Sequence, residues 1–183
     1  MRPMILEEFP ISCGSTTIYA AMIAPAVRAG RRAHEREAVG RLVDRAFGPG
    51  TTLSHRADGA PYIAGSEWHI SVSHCSGLAI LAVDPTAPVG VDIETPREQL
   101  LRISGKFLDR RELQLFGGSI SLLLRAWTAK EAVFKAAGIS DLTISEVTLS
   151  DDQHSAQARG KRFAVRHIEI AEAVIAIAQQ SED

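Results

Sequence analysis

Three short stretches of this sequence hold residues able to do chemistry. In Val89-Gly90-Val91-Asp92-Ile93-Glu94, two carboxylates stand two positions apart. On a β-strand that spacing turns both side chains to one face. Carboxylates held that close repel unless a cation lies between them, and hard oxygen donors with open coordination positions suit magnesium. A polar strand face in water would carry the same pair. In Arg125-Ala126-Trp127-Thr128-Ala129-Lys130-Glu131-Ala132-Val133-Phe134-Lys135, Glu131 and Lys135 are four apart and share a helix face. That is equally the spacing of an exposed ion pair, worth only about 0.2–0.5 kcal/mol. In Ile70-Ser71-Val72-Ser73-His74-Cys75, Ser73 and His74 stand just ahead of Gly77. A hydroxyl and an imidazole at such a turn could meet an anion; a structural histidine at a strand end is the alternative.

These residues need elements to position them. Ser15 to Ala24, rich in Thr, Ile and Tyr, reads as a strand that Pro25 stops. From Gly30 to Phe47, Ala33, Ala38, Leu42, Val43 and Ala46 recur at helical spacing, and Gly48-Pro49-Gly50 ends the helix. Thr51 to Ile63 holds turns and short extended pieces. Trp68 to His74 alternates as a strand, Leu78 to Val83 is a nearly continuous apolar strand, and Val89 to Ile93 is a third. Pro96 to Leu115 carries helical pieces before the break at Gly117-Gly118. Ser119 to Ala137 predicts a strong helix with Leu122, Leu123, Ala126, Trp127, Val133 and Phe134 inside and Gly138 as its left-handed cap. Three strands are expected in the tail, over Leu142 to Leu149, Arg162 to Ile168 and Ala173 to Ala178. The hydrophilic stretch Asp151 to Gly160 reads as a hairpin or longer loop. The order is an α+β one, with one αβ arrangement occurring twice and no flexible linker between the halves.

Composition sets bounds on what such a molecule can be. Its 183 residues suffice for one core or two small subdomains, and 45% hydrophobic with 23% charged residues is the profile of a soluble globular protein. A net charge of −2 argues against a nucleic-acid binder. Basic residues concentrate only at Arg28, Arg31, Arg32, Arg36 and Arg41, which on a helix spread over more than one face and so suit a local anion site. Cys13 and Cys75 form neither a CxxC pair nor a zinc spacing, as expected of reduced thiols. No run reaches the roughly eighteen apolar residues that span a bilayer. The apolar segment Thr16 to Val27 follows Glu7 and Glu8, where a secretory leader would carry positive charge. A cytoplasmic location is the expectation.

Taken together, Ser-His, then Gly-Val-Asp-Ile-Glu, then Trp-Thr-x-Lys-Glu-Ala-x-x-Lys, in that order and at that spacing, resemble the three-motif signature of the 4′-phosphopantetheinyl transferases. The resemblance is densest from Asp58 to Gly138. It implies that family's fold, a tandem pseudo-dimer of two similar αβ subdomains with the active site between them, here divided as 1–95 and 96–183 within one compact unit. It also implies the larger single-chain type that activates synthetases, expected as a monomer that binds neither nucleic acid nor membrane. The implied reaction moves the phosphopantetheine arm of coenzyme A onto a serine of an acyl or peptidyl carrier protein and releases 3′,5′-ADP. A homologue that binds coenzyme A or a carrier without turnover is the alternative.

The resemblance also implies roles for individual residues. Asp92 and Glu131 would hold Mg²⁺ against the coenzyme A pyrophosphate, with Glu94 as a third ligand, direct or through water. Glu131 is the candidate base toward the carrier serine, and Lys135 would give a point charge to the phosphates. Lys130 would reach the phosphate or lie in solvent. Ser73 and His74 match positions that bind the 3′-phosphate. Asp58-Gly59-Ala60-Pro61 matches the family's Gly-x-Pro turn, but Ala60 stands where a basic residue is common, and Arg56 is the candidate substitute. Arg31 and Arg36 fall where similar enzymes keep cations for the nucleotide; a solvated helix face is the other reading. Phe107 and Leu108, ahead of Arg110-Arg111-Glu112-Leu113, match a stretch near where the carrier docks. Arg110 and Arg111 could meet carrier carboxylates, and Phe107 could add apolar contact or be plain core.

Overall fold

A computed structural model describes residues 14–24 and 30–181; Cys13, Arg28 and the ends of the chain lie outside them. The chain divides into two units, Met1–Ala87 and Pro88–Asp183.

The first unit runs β1 (Thr17–Met22), α1 (Arg31–Phe47), β2 (Leu53–His55), β3 (Pro61–Ile63), β4 (His69–Cys75) and β5 (Leu78–Asp84). β1, β5 and β4 form an antiparallel sheet in that order, and β2 pairs with β3 in a separate ribbon. β4 turns into β5 at Ser76-Gly77, where Gly77 takes a φ of +90° that favours glycine. α1 lays Ala38, Val39, Leu42 and Val43 on Ala21, Ile70, Ala79, Leu81 and Val83. Each Val or Leu so buried favours folding by about 1.5–3 kcal/mol over the exposed side chain. Asp84, fully buried at the end of β5, accepts hydrogen bonds from Ser15 Oγ, Thr16 Oγ1, Thr86 Oγ1 and the Thr86 and Ala87 amides. Burial alone would raise its pKa, but these donors hold it far below the ordinary 3.8.

The second unit runs β6 (Val89–Glu94), α2 (Gln99–Ile103), α3 (Arg110–Phe116), α4 (Ile120–Ala137), β7 (Val147–Leu149), β8 (Ser155–Ala158), β9 (Lys161–Ile170) and β10 (Ala173–Gln180). Its antiparallel sheet has the order β6-β10-β9-β8-β7. β6, grouped with the first half in the sequence reading, is hydrogen-bonded along its length to β10 and so lies in the second unit. α4 starts at Ser119, whose Oγ accepts the Leu122 amide, and stops at Gly138 with φ +58°. It buries Leu123, Ala126, Ala129, Ala132, Val133 and Ala136 against the sheet. Two expected inside positions turn outward: Leu122 and Phe134 are more than a third exposed, because each stands one position from an inward residue, Leu123 or Val133, and so about 100° round the helix. The hydrophilic stretch after Leu149 contains β8, whose small Ala156 and Ala158 alternate inward. No described helix is long and apolar enough to cross a membrane.

Candidate active site

In the second unit the close approach of α4 to β6 builds the site. A Cβ placed on Gly90 would lie 1.9 Å from the Ala132 carbonyl oxygen and 2.6 Å from the Ala136 amide nitrogen, so only glycine allows this contact. Gly90, Asp92 and Glu94 sit opposite Ala178, Ala176 and Val174 of β10. The latter three belong to the core under α4, so the two carboxylates of β6 share the face turned to the helix. There the Lys135 ammonium donates to Asp92 Oδ1 and to the Val91 carbonyl, each at 2.9 Å. Glu94 accepts from Arg97 at 2.8 Å. Arg97 is a residue that sequence reasoning missed, although it stands only three positions after Glu94; its buried Nε has no partner among the described residues.

Glu131 completes the group electrostatically. Burial raises its pKa above the ordinary 4.5, Asp92 and Glu94 add to the rise, and Lys135 and Arg97 oppose it. Burial likewise raises Glu94, with Arg97 and Lys135 opposing and Asp92 reinforcing. Three carboxylates and two cations thus form one coupled cluster. All three acids offer hard oxygen donors of the kind Mg²⁺ takes. Among the described residues no three acidic, histidine or cysteine groups converge closely enough to grip a cation as they stand; Lys135 and Arg97 are paired with two of the acids.

Lys130 has a different use from the one expected. It is fully buried and paired with the equally buried Glu112 at 2.7 Å, and it also donates to the Val147 carbonyl. Burial lowers its pKa, and Glu112 works against that shift. Glu112 further accepts the Leu149 and Asp109 amides, so this pair joins α4, α3 and β7 and faces no solvent from which a phosphate could arrive. Thr128 caps its own helix turn through the Leu124 carbonyl. Phe107 is core, 2% exposed and edge-on to Trp127 at 5.0 Å, which corrects the expectation of carrier contact. Arg111 is spent on Asp151 and the Leu149 carbonyl, whereas Arg110 is exposed.

The cations expected at the nucleotide lie in the first unit. A cavity of about 540 Å³ is lined by Arg32, Glu35 and Arg36 from α1, His55 from β2 and His74 from β4. His74 Nδ1 is 3.8 Å from Glu35. Val72 shares the cavity with His74; strand alternation gives Ser71 and Ser73 the other face, where both are buried. Ser73 and His74 are therefore neighbours in sequence on opposite sides of the sheet. Arg31 lines a second cavity, of about 370 Å³, with Cys75, Ser76 and Gly77. Arg56, expected to stand in for the missing cation at Ala60, places its guanidinium 5.8 Å from the centre of the Tyr62 ring. His55 is another lining residue that the sequence reading did not single out.

Residues 88–178 match the 4′-phosphopantetheinyl transferase superfamily. The curated 4′-phosphopantetheinyl transferase HetI of Nostoc sp. is 30% identical over 87 residues, which cover 44% of this chain and 37% of that protein. The chain thus matches well under half the length of this relative. The matched span runs from β6 through α4 to β10 and contains Asp92, Glu94, Glu131 and Lys135, and by that match this half of the chain belongs to the 4′-phosphopantetheinyl transferase superfamily.

Proposed function

We propose that the protein transfers the 4′-phosphopantetheine group of coenzyme A to a serine of an apo acyl or peptidyl carrier protein, with Mg²⁺, and releases 3′,5′-ADP. The observation that carries this reading is the coupled cluster of Asp92, Glu94, Glu131 and Lys135 across the β6–α4 seam, inside the span that matches the superfamily.

In this reaction the serine oxygen forms a bond to the β-phosphorus of coenzyme A, and the bond from that phosphorus to the bridging oxygen breaks. The bridging oxygen leaves on 3′,5′-ADP, and the serine proton passes to a base. Glu131 fits the base. Its raised pKa makes it a stronger proton acceptor than an ordinary carboxylate. Asp92, Glu94 and Glu131 would hold Mg²⁺, which when bound neutralises the pyrophosphate and the charge developing on the leaving group. Lys135 already sits against Asp92 and needs only to swing along its flexible stem to meet a phosphate oxygen. The imidazole of His74 and the guanidinium groups of Arg36 and Arg31 would bind the nucleotide end. Arg110 is the remaining exposed cation of α3 for an acidic carrier.

Intact-mass spectrometry of an apo carrier protein incubated with this protein, coenzyme A and Mg²⁺ tests the reading. The expected result is a gain of one phosphopantetheine group that EDTA prevents. Coenzyme A binding with no mass gain on apo acyl and apo peptidyl carriers alike would favour a non-catalytic binding protein.

A further inference from the structure

We propose that His55 supplies the phosphate-binding donor that Ala60 lacks, and that Arg56 takes no part. This rests on the proposed function, because it names a recognition residue for the adenosine 3′-phosphate of the same donor.

The cavity in the first unit has two sorts of wall. Val39, Leu53 and Val72 give apolar surface, suited to a flat heteroaromatic base. Arg32, Arg36, His55 and His74 give N–H donors, suited to a phosphate monoester. Two strands repeat one pattern. On β4, Val72 and His74 are two residues apart and both line the cavity; on β2, Leu53 and His55 do the same. A period of two is the strand's own alternation, so each strand presents an apolar group and then an imidazole to one space.

That alternation also removes Arg56. It follows His55 directly and starts the turn, where its amide donates to the Ala60 carbonyl and its own carbonyl accepts the Gly59 amide. Its side chain stacks on Tyr62, and it does not line the cavity. Among the described residues Glu35 is the one carboxylate on the wall, and it faces His74. An imidazole can donate an N–H to a phosphate oxygen whether neutral or charged, so His55 suits a dianionic monoester.

Calorimetric titration of the full chain with coenzyme A and with dephospho-coenzyme A, which lacks only the 3′-phosphate, tests the assignment. His55→Gln should weaken coenzyme A binding about tenfold, the worth of one hydrogen bond to a charged group. It should leave dephospho-coenzyme A within twofold, and unfolding curves should show the variant folded. His55→Lys should restore the preference for coenzyme A, and Arg56→Ala should match the wild type with both ligands. Equal losses for both ligands in His55→Gln, no loss for either, or a selective loss in Arg56→Ala would overturn the proposal while leaving the transferase reading intact. A wild type that binds neither ligand would instead remove the functional reading, and this proposal with it.

Discussion

In the proposed reaction, Glu131 is the residue on which chemistry and stability pull in opposite directions. Burial and its acidic neighbours raise its pKa above 4.5, so its ionised form is disfavoured in the folded chain. The stability tied to that group is present at pH below the unfolded value and lost as pH rises through the folded one. Glu131→Gln should therefore raise the melting temperature at neutral pH while lowering kcat for carrier modification by about a hundredfold or more. Calorimetry and a mass-based transfer assay would show the two effects. A wild-type rate that falls on acidification at a pH above the ordinary carboxylate range, with that limb missing in the variant, would tie the effect to this carboxyl group. The acidic set was legible in the sequence because D-x-E and E-x-x-x-K have the periods of a strand and a helix. Its restraints were not. Nothing in the local pattern reveals that Arg97 turns back to Glu94, or that Lys130 runs inward to Glu112 from eighteen residues away. A buried lysine looks like a surface lysine until its partner's place in space is known.

Among the elements, α4 does the most positioning, and two contacts fix it. Gly90→Ala puts a methyl group into the Ala132 and Ala136 backbone and should destabilise the protein by roughly 1–3 kcal/mol, as overpacked cores do. It should also part Asp92 from Lys135, so urea denaturation and transfer rate should fall together. Lys130→Met leaves Glu112 buried with its charge uncompensated and should cost about 3–5 kcal/mol. It should leave the affinity for coenzyme A unchanged in titrations below the melting temperature; a selective loss of that affinity would return Lys130 to the phosphate site. The boundaries of α1 and α4 were readable from their glycine stops and Ser119. The membership of β6 was not, because its partner β10 lies eighty residues downstream, and sheet pairing at that distance leaves no local trace. β8 escaped notice for a related reason: its alanines bury little surface, so its flanks read as loop.

Across the whole chain, each unit carries its own response to acid. In the second, His167 of β9 is partly buried against α4. It lies 3.0 Å from the Arg125 carbonyl through Nε2 and 3.2 Å from the Arg125 guanidinium through Nδ1. Burial, with Arg125 and His154 adding and the Arg125 carbonyl opposing, lowers its pKa from 6.5 to about 4. A histidine depressed in this way contributes stability above its unfolded value, lost as pH falls from 6.5 toward 4; the loss is on the order of 3 kcal/mol. In the first unit, Asp84 is depressed below 3.8, so its contribution persists until the pH drops below that. The chain has two tryptophans, Trp68 in the first unit and Trp127 in the second. With Trp127→Phe and Trp68→Phe variants, fluorescence melts recorded between pH 7 and pH 3 should show the second unit weakening first. His167→Gln should flatten that loss, and a matching decline at both tryptophans in this variant would assign it to other groups.

The backbone-to-backbone seam at Gly90 has a consequence for entropy. The distance between the strand carrying Asp92 and the helix carrying Glu131 and Lys135 contains no side-chain torsion, so rotamer exchange on the nanosecond scale cannot widen it. At this seam, what is left to immobilise when a charged ligand arrives is confined to the ends of a few side chains, Lys135 among them. Each such side chain costs about 0.5–1.5 kcal/mol to order. At this seam the ordering of the backbone is thus completed when the chain folds.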